Sequence, residues 1–437
     1  METLNSIEQK GEFHELIDKI DKTNVTVYEK LNASNDKAAK QEFLDNPSLI
    51  HPNNEYGNLD SEEIKENINT LRNVTDELNN SWLSEKRKAF ITLIADDSKK
   101  KNEFLAANLA YNEASTPAEK AEATAWHHET NANLYGMPDE DTFYTLLEEK
   151  ISNIDVNNLT EENREVYSRL IDNIGPIKHP ERDRFIPKQE TINRFSELIK
   201  DYYSNFLSHI PENQETFSSS EAVNIINDIL ENEFDGEVNY KAVIDKKAAN
   251  ASASRGVIKF PEDKVYSKER LSALVLHELG THAMRSIPYQ EQDIKAFTTG
   301  LPNNETWDEG IAGCIEQALK GKYEDFGVDH YINIGLATFK NKNFREIYNI
   351  QKDLKSLTNT DDTNVLRDVQ RCFRGTGELP NNKDLAYYNG NVRAWQYIEN
   401  HLDDPELFDN LFLVGKADIT NPEHEALSYE MRTKGTI

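Results

Sequence analysis

The sequence predicts an α+β protein that is predominantly α, with a helical N-terminal domain over residues 1–174 and a second domain over residues 175–437. Apolar residues recur three and four positions apart over the first region, which is typical of amphipathic helices. A segment rich in proline and glycine interrupts this pattern after residue 174. Alternating β-branched residues occur only beyond residue 237 and predict a small sheet in the second domain.

The first region repeats the signals of helices and of their N-termini. Apolar residues at positions 71, 74 and 78, and again at 143, 147 and 151, lie on one side of a helix. Thr116 precedes Pro117, which places a capping side chain before a proline in the first turn. Asp139 and Thr160 each precede further acidic residues, as a helix N-terminus favours. We therefore expect helices and no strands up to residue 174, and the role of this domain is open between recognition and a lid.

The second region begins with a linker and then changes its periodicity. Three prolines and one glycine within residues 175–187 suit a surface connection. Two helices are expected over residues 192–210 and 220–233, followed by strands over 238–244 and 256–260. A further helix is expected to open at Ser267, so the residues after it lie on a helix that follows a strand.

Composition limits the classes of partner. The chain has 49 Lys+Arg and 78 Asp+Glu, a formal net charge of −29, which argues against a nucleic-acid partner. The two cysteines, Cys314 and Cys372, cannot form a disulfide framework and suit a reducing compartment. No apolar run approaches the roughly 20 residues of a membrane span, and the first residues do not resemble a signal peptide. We expect a cytoplasmic protein, with leaderless export into a host cell as the alternative.

The helix after Ser267 contains the sequence His277-Glu278-Leu279-Gly280-Thr281-His282. Imidazole nitrogens are good zinc ligands, and a glutamate beside the first histidine is where a zinc hydrolase places its general base. The familiar motif separates the histidines by four positions, whereas five separate them here. Five residues of an α-helix turn the side chains about 140° apart, too far to share one ion. We therefore predict a π-type turn between the histidines, which Gly280 makes easier.

A zinc site of this kind needs a third protein ligand. The segment Trp307-Asp308-Glu309-Gly310-Ile311-Ala312 is expected to open a helix downstream, and a carboxylate on a second helix is the third ligand in His₂Glu sites. From the residues alone, Asp308 and Glu309 are both candidates. Their other reading is that they are ordinary acidic residues at a helix N-terminus.

These motifs together resemble a known family. The chain is similar to the bacterial proteins named for a QEGLA motif in five segments that follow one another in order. These are Ala249–Ser254, the strand over 256–260, the His277–His282 motif, Gly300-Leu301-Pro302 and Glu309-Gly310-Ile311-Ala312. They equally resemble the microtubule-associated tyrosine carboxypeptidases, which share H-E-x-x-x-H and E-G-L-A. The block Arg371-Cys372-Phe373-Arg374-Gly375 and Lys383-Asp384-Leu385-Ala386-Tyr387 also resembles that family. The resemblance spans roughly residues 240–400 and implies a zincin-like catalytic domain.

The resemblance implies roles for particular residues. It implies zinc held by His277, His282 and Glu309, with Glu278 as the general base, and Asp308 then falls on a position that is not a ligand. Departures from the family pattern are Ile311 for Leu, Asp308 for Gln or Glu, and the stretch Gly377-Glu378-Leu379-Pro380.

Substrate contacts can also be named. Arg371 and Arg374 hold the family position expected for residues that bind a terminal carboxylate, for which a guanidinium is suited. Tyr387 is a candidate to donate to the oxyanion or to line the pocket. Asn250 and Ser252 precede the strand over 256–260, and an exposed edge strand there is expected to pair with the substrate main chain.

Three functions follow, of which the first is preferred. It is a zinc metallocarboxypeptidase that removes a C-terminal residue, such as tyrosine or another large residue, from a protein or peptide with a free C-terminus. The second is a zinc endopeptidase on the same scaffold. The third is a non-catalytic, metal-stabilised module that binds a protein.

Overall fold

The computed structural model describes residues 2–180, 183–234, 238–246, 248, 250–290 and 294–434, and it confirms an α+β fold that is predominantly α. The helices are α1 Glu2–Thr23, α2 Val27–Lys30, α3 Asp36–Asp45, α4 Ser61–Asn79, α5 Glu85–Glu113, α6 Pro117–Tyr135, α7 Glu140–Ser152, α8 Glu161–Ile174, α9 Gln189–Tyr202, α10 Ser204–Ser208, α11 Ser219–Glu233, α12 Lys268–Leu274, α13 Ala296–Thr299, α14 Asn304–Lys320, α15 Val328–Lys340, α16 Phe344–Leu357, α17 Val365–Cys372, α18 Leu385–His401, α19 Leu407–Phe412 and α20 Pro422–Lys434. A π-helical segment, Val275–Ala283, continues α12. Three short 3₁₀ turns cover Val156–Asn158, Ile287–Tyr289 and Asn382–Asp384.

The strands are β1 Thr216–Ser218, β2 Lys241–Ile244, β3 Ser252–Ser254, β4 Val257–Phe260 and β5 Val265–Ser267. Among the described residues, no helix combines the length and the apolar character needed to cross a bilayer.

The chain forms two compact units. The first comprises residues 1–184 and 327–385, and the second comprises residues 185–326 and 386–437. The first unit therefore contains α15 to α17 in addition to the N-terminal helices. Each compact unit is built from two segments that are distant in sequence. The expected division into two domains at residue 174 stays a prediction.

Helices of the first unit begin where the sequence places their caps. Thr116 and Glu119 form a reciprocal capping box at the start of α6, with Pro117 in its first turn. Asp139 caps α7 and Thr160 caps α8 through side-chain hydrogen bonds. The described residues up to 174 contain no strand, as expected.

The second unit contains all the described strands, in two small sheets. The strands β1 and β5 form an antiparallel pair, while the other sheet has the order β2-β4-β3, with β2 parallel and β3 antiparallel to β4. Arg255 and Gly256, which join β3 to β4, both have positive φ, as a two-residue type I′ hairpin requires. The strand over 256–260 is therefore central rather than at the edge, because the Ser252–Ser254 segment forms a strand of its own that the sequence did not indicate.

Two other expectations about the second unit need correction. The helix expected over 192–210 is interrupted at Tyr203, so that it forms α9 and α10. The strand expected over 238–244 is shorter: β2 begins at Lys241, and residues 235–237 lie outside the described residues. The apolar core of this unit surrounds the fully buried Trp307 and Trp395, and the π segment packs within it.

Candidate metal centre

The two histidines of the motif face each other across a wide helical turn. Residues Val275–Ala283 form a π-helix, so the predicted π-type turn is confirmed. The ring centroids of His277 and His282 lie 4.9 Å apart. One ligand atom from each of His277, Glu278 and His282 lies within 4.8 Å of the others, a group that could hold a metal ion. The extra residue in the turn thus restores the shared face that an α-helix would deny them.

Side chains within and beside the π segment support the wide turn. The hydroxyl of Thr281 donates to the carbonyl of Leu276, five residues back, at 2.9 Å. A Cβ at position 280 would lie 3.2 Å from the ring of Tyr203, which is a tight contact, so packing favours a glycine here. The ring of Tyr203 therefore adds a packing reason for glycine at position 280 to the backbone freedom that the sequence indicates.

His282 is oriented by a buried carboxylate on α14. Its Nδ1 lies 3.1 Å from Oδ2 of Asp308, which leaves Nε2 for a metal ion. Asp308 also accepts from Arg285 at 2.7 Å and lies 3.2 Å from Nζ of Lys416. Burial would raise the pKa of Asp308, but Lys416, Arg285 and His282 hold it well below its usual range. The ionised carboxylate of Asp308 therefore holds the ring of His282 through Nδ1, on the side opposite Nε2.

His277 has a corresponding carboxylate, which the sequence analysis missed. Its Nδ1 lies 2.8 Å from Oε1 of Glu316, a close charge pair rather than a well-aligned hydrogen bond. The other oxygen of Glu316 accepts from Arg270 at 2.8 Å. Burial would raise the pKa of Glu316, but His277 and Arg270 lower it to about 2. The available signal was spacing, because Glu316 lies seven residues after Glu309 and hence on the same side of α14.

The charges around His277 decide its protonation in the absence of a metal ion. Burial lowers its pKa, but contact with Glu316 and the charges of Glu278 and Glu309 outweigh burial and raise it to about 9. A cation is therefore stabilised at this position. A divalent ion would replace the proton and take up the same negative surroundings.

Glu278 lies inside the same group and is only 4% exposed. Its Oε2 is buried and has no hydrogen-bond partner among the described residues. A buried carboxylate oxygen without a partner is costly, so its presence indicates an atom that interacts with something outside the polypeptide. Two imidazoles and carboxylate oxygens are donors that zinc accepts, and the residues present therefore fit this metal.

Glu309 stands apart from the compact group. It lies on α14 beside Asp308 and is near enough to raise the pKa of His277, but the group of described residues within 4.8 Å does not include it. The next residue, Gly310, has to be a glycine because a Cβ at that position would overlap the carbonyl of Gly390 on α18. The close approach of α14 and α18 thus fixes the backbone beside Glu309.

Three of the predicted substrate contacts belong to the unit that holds the histidines. Ser252 lies on β3, one of the two edge strands of its sheet, and β3 packs against the π segment. Oδ1 of Asn250 accepts from Lys264 at 3.2 Å, whereas Ala249 lies outside the described residues. The ring of Tyr387 packs 5.8 Å from that of Phe326.

The two predicted arginines belong to the other unit. Arg371 is held by two hydrogen bonds to the buried carboxylate of Asp384, at 2.6 and 2.8 Å. The guanidinium of Arg374 lies 5.8 Å from the ring of Tyr28. Arg371 therefore already has a carboxylate partner within its own unit. Cys314 and Cys372 are both buried, as expected of packing residues.

A protein-family model matches the part of the chain that carries these residues. The family model for microtubule-associated tyrosine carboxypeptidases matches residues 137–435, a longer stretch than the resemblance in the motifs. Searches of curated proteins and of solved structures gave no significant match. The match includes the His277–His282 motif and the helix α14 that carries Asp308 and Glu316, and it covers most of the sequence. The chain therefore belongs to the microtubule-associated tyrosine carboxypeptidase family, which implies a peptidase of the carboxypeptidase type.

Proposed function

We propose that this protein is a zinc-dependent carboxypeptidase that hydrolyses the last peptide bond of a protein or peptide, such as one ending in tyrosine. The observation that carries the proposal is the group formed by His277, Glu278 and His282, in which each imidazole has a carboxylate beside its Nδ1. Family membership supports the direction of cleavage, from the C-terminus.

Residues of the second unit would hold the metal ion. His277 and His282 offer Nε2, since Nδ1 of each faces Glu316 or Asp308. Glu309 is the proposed third ligand, by its position in the family motif. When bound, zinc would lower the pKa of a coordinated water towards about 7 and polarise a carbonyl group.

Glu278 is the proposed general base. Its unpartnered Oε2 is free to accept a proton from the attacking water and to pass it to the leaving amine. Its burial keeps bulk water away from that oxygen and strengthens its interaction with developing charge. Ser252 on the edge strand β3 would align the substrate main chain beside the π segment.

Gripping the terminal carboxylate is the part of the proposal that separates exopeptidase from endopeptidase action. Arg371 and Arg374 remain the proposed residues, with Tyr387 and Asn250 as further contacts to substrate. Arg371 would have to share its guanidinium with Asp384, which already takes two of its donors. Arg374 has no such bidentate partner among the described residues and is the better candidate of the two.

The test compares wild type with Glu278→Gln on peptides that have free or amidated C-termini, with products identified by mass spectrometry. We expect wild type to remove the last residue of free peptides only, and Glu278→Gln to bind zinc normally but lose turnover by at least a hundredfold. Glu269→Gln, at an exposed position of α12, is the matched control and should keep wild-type turnover.

Each other outcome has a clear meaning. Full activity in Glu278→Gln would show that Glu278 is not the base. Cleavage that ignores amidation would make the protein an endopeptidase. Zinc binding without cleavage of any peptide would support the non-catalytic module instead.

A further inference from the structure

The π segment leaves one backbone carbonyl without a helical partner. The amide of Met284 donates to the carbonyl of Leu279, five residues back, at 2.9 Å. The next amide, of Arg285, donates to Thr281, four residues back, at 3.2 Å. The return from π to α spacing therefore passes over the carbonyl of Gly280. An unpaired carbonyl in a buried segment is costly, so the wide turn needs a donor from elsewhere.

Tyr203 supplies that donor. It lies directly after α9, where the helix is interrupted before α10. Its hydroxyl donates to the carbonyl of Gly280. Tyr203 is only 2% exposed, and its ring occupies the space beside Gly280 that a Cβ would enter. Both the hydroxyl and the ring of this residue therefore complement the wide turn.

The alternative conformation of the segment clarifies what this contact does. If the segment returned to an α-helix, the Gly280 carbonyl would regain the amide of Met284 and would no longer need Tyr203. His277 and His282 would then point about 140° apart and could not share an ion. The hydroxyl of Tyr203 thus favours the one backbone spacing that creates the metal centre.

We propose that Tyr203 is a positioning residue of the metal centre, holding His277 and His282 on one face by capturing the Gly280 carbonyl. The inference rests on the zinc site of the proposed function. It concerns the arrangement of the ligands and not the reaction, so it can be tested by metal binding alone.

The neighbouring residue provides a matched control. Tyr202 is also aromatic and lies next to Tyr203, but it is 38% exposed and stacks on Phe408, with ring centroids 4.4 Å apart. Tyr203→Phe removes only the hydroxyl that reaches Gly280, and Tyr202→Phe removes a hydroxyl on the outside of the same helix end. Any general effect of losing a tyrosine hydroxyl is therefore common to both variants.

The experiment measures zinc affinity by competition with a chromophoric chelator, together with the visible absorption of the cobalt-substituted proteins. We expect Tyr203→Phe to weaken zinc binding by about tenfold or more and to alter the cobalt bands. Tyr202→Phe should match wild type in both measurements. Gly280→Ala, whose methyl group presses on the ring of Tyr203, should likewise weaken zinc binding and alter the cobalt bands. It replaces Tyr203→Phe as the test variant if Tyr203→Phe does not fold.

The outcomes separate this inference from the proposed function. Wild-type affinity and an unchanged cobalt spectrum in Tyr203→Phe would overturn the positioning role while leaving the zinc enzyme intact. A loss of stability with an unchanged spectrum would make Tyr203 an ordinary core residue and would overturn the role equally. Failure of wild type to bind zinc would overturn both proposals.

Discussion

Replacing Asp308 by asparagine would remove the negative charge at the centre of a buried cluster. Asp308 is 4% exposed and contacts Arg285 at 2.7 Å, Lys416 at 3.2 Å and His282 at 3.1 Å. Asparagine has nearly the same shape, so packing changes little. The guanidinium of Arg285 is fully buried and would lose its carboxylate partner, as would the ammonium of Lys416.

The cost can be placed within a range. Breaking a buried ion pair by removing one partner costs about 3–5 kcal/mol. Arg285 keeps its hydrogen bonds to the carbonyls of Gly415 and Ala417, which reduces the penalty. We therefore expect a loss of about 3 kcal/mol in the free energy of unfolding. Because Asp308 also orients His282, zinc affinity should fall by about 10–100-fold.

Urea unfolding followed by circular dichroism measures the first quantity, and chelator competition measures the second. Glu305→Gln, at an exposed position of the same helix, is the control and should change stability by less than about 0.5 kcal/mol.

A double-mutant cycle with Lys416→Met tests whether charge is the cause. Lys416→Met should cost less stability in the Asp308→Asn background than in wild type, because it removes an ammonium that has already lost its partner. A loss below about 1 kcal/mol in Asp308→Asn would refute the ion-pair argument. So would an equal effect of Lys416→Met in both backgrounds.

Two further predictions concern stability. Burial, together with the nearby charge of His128, lowers the pKa of His127 to about 3. Below about pH 6.5 the unfolded chain therefore binds a proton at this residue, whereas the folded protein does not. Stability should therefore fall by about 2 kcal/mol from this group between pH 7.5 and pH 5, and urea titrations of His127→Leu should lack that part of the loss. Gly310→Ala should destabilise the protein by about 1–3 kcal/mol, because its methyl group would overlap the carbonyl of Gly390. Thermal unfolding measures this loss, and Gly57→Ala, which meets no atom within 4 Å, should leave the midpoint unchanged.

Local features of the structure could be predicted from the sequence. Thr116 caps α6 as its neighbours indicate, and it forms a capping box with Glu119 because cap and partner lie three residues apart. The π turn was also predictable, because His277 and His282 are five residues apart and side chains at that spacing cannot share an ion on a regular α-helix. Both are properties of a short stretch of backbone.

Properties that depend on which elements meet could not be predicted in this way. Nothing local to Glu316 indicates that it faces His277, and the residues around Asp308 do not by themselves show that its carboxylate lies beside Nδ1 of His282. The edge position of β3 likewise depends on pairing with β4 rather than on its own residues.

The amino-acid sequence alone indicates a mostly helical chain, a histidine pair on a wide turn, and the motifs typical of its family. These features are encoded by spacing and capping within a few residues. The side chains that orient each histidine, and the hydrogen bond from Tyr203 to the carbonyl of Gly280, are known only from the folded chain. Those contacts join residues far apart in the chain, so packing of whole helices selects them, and no local pattern records them.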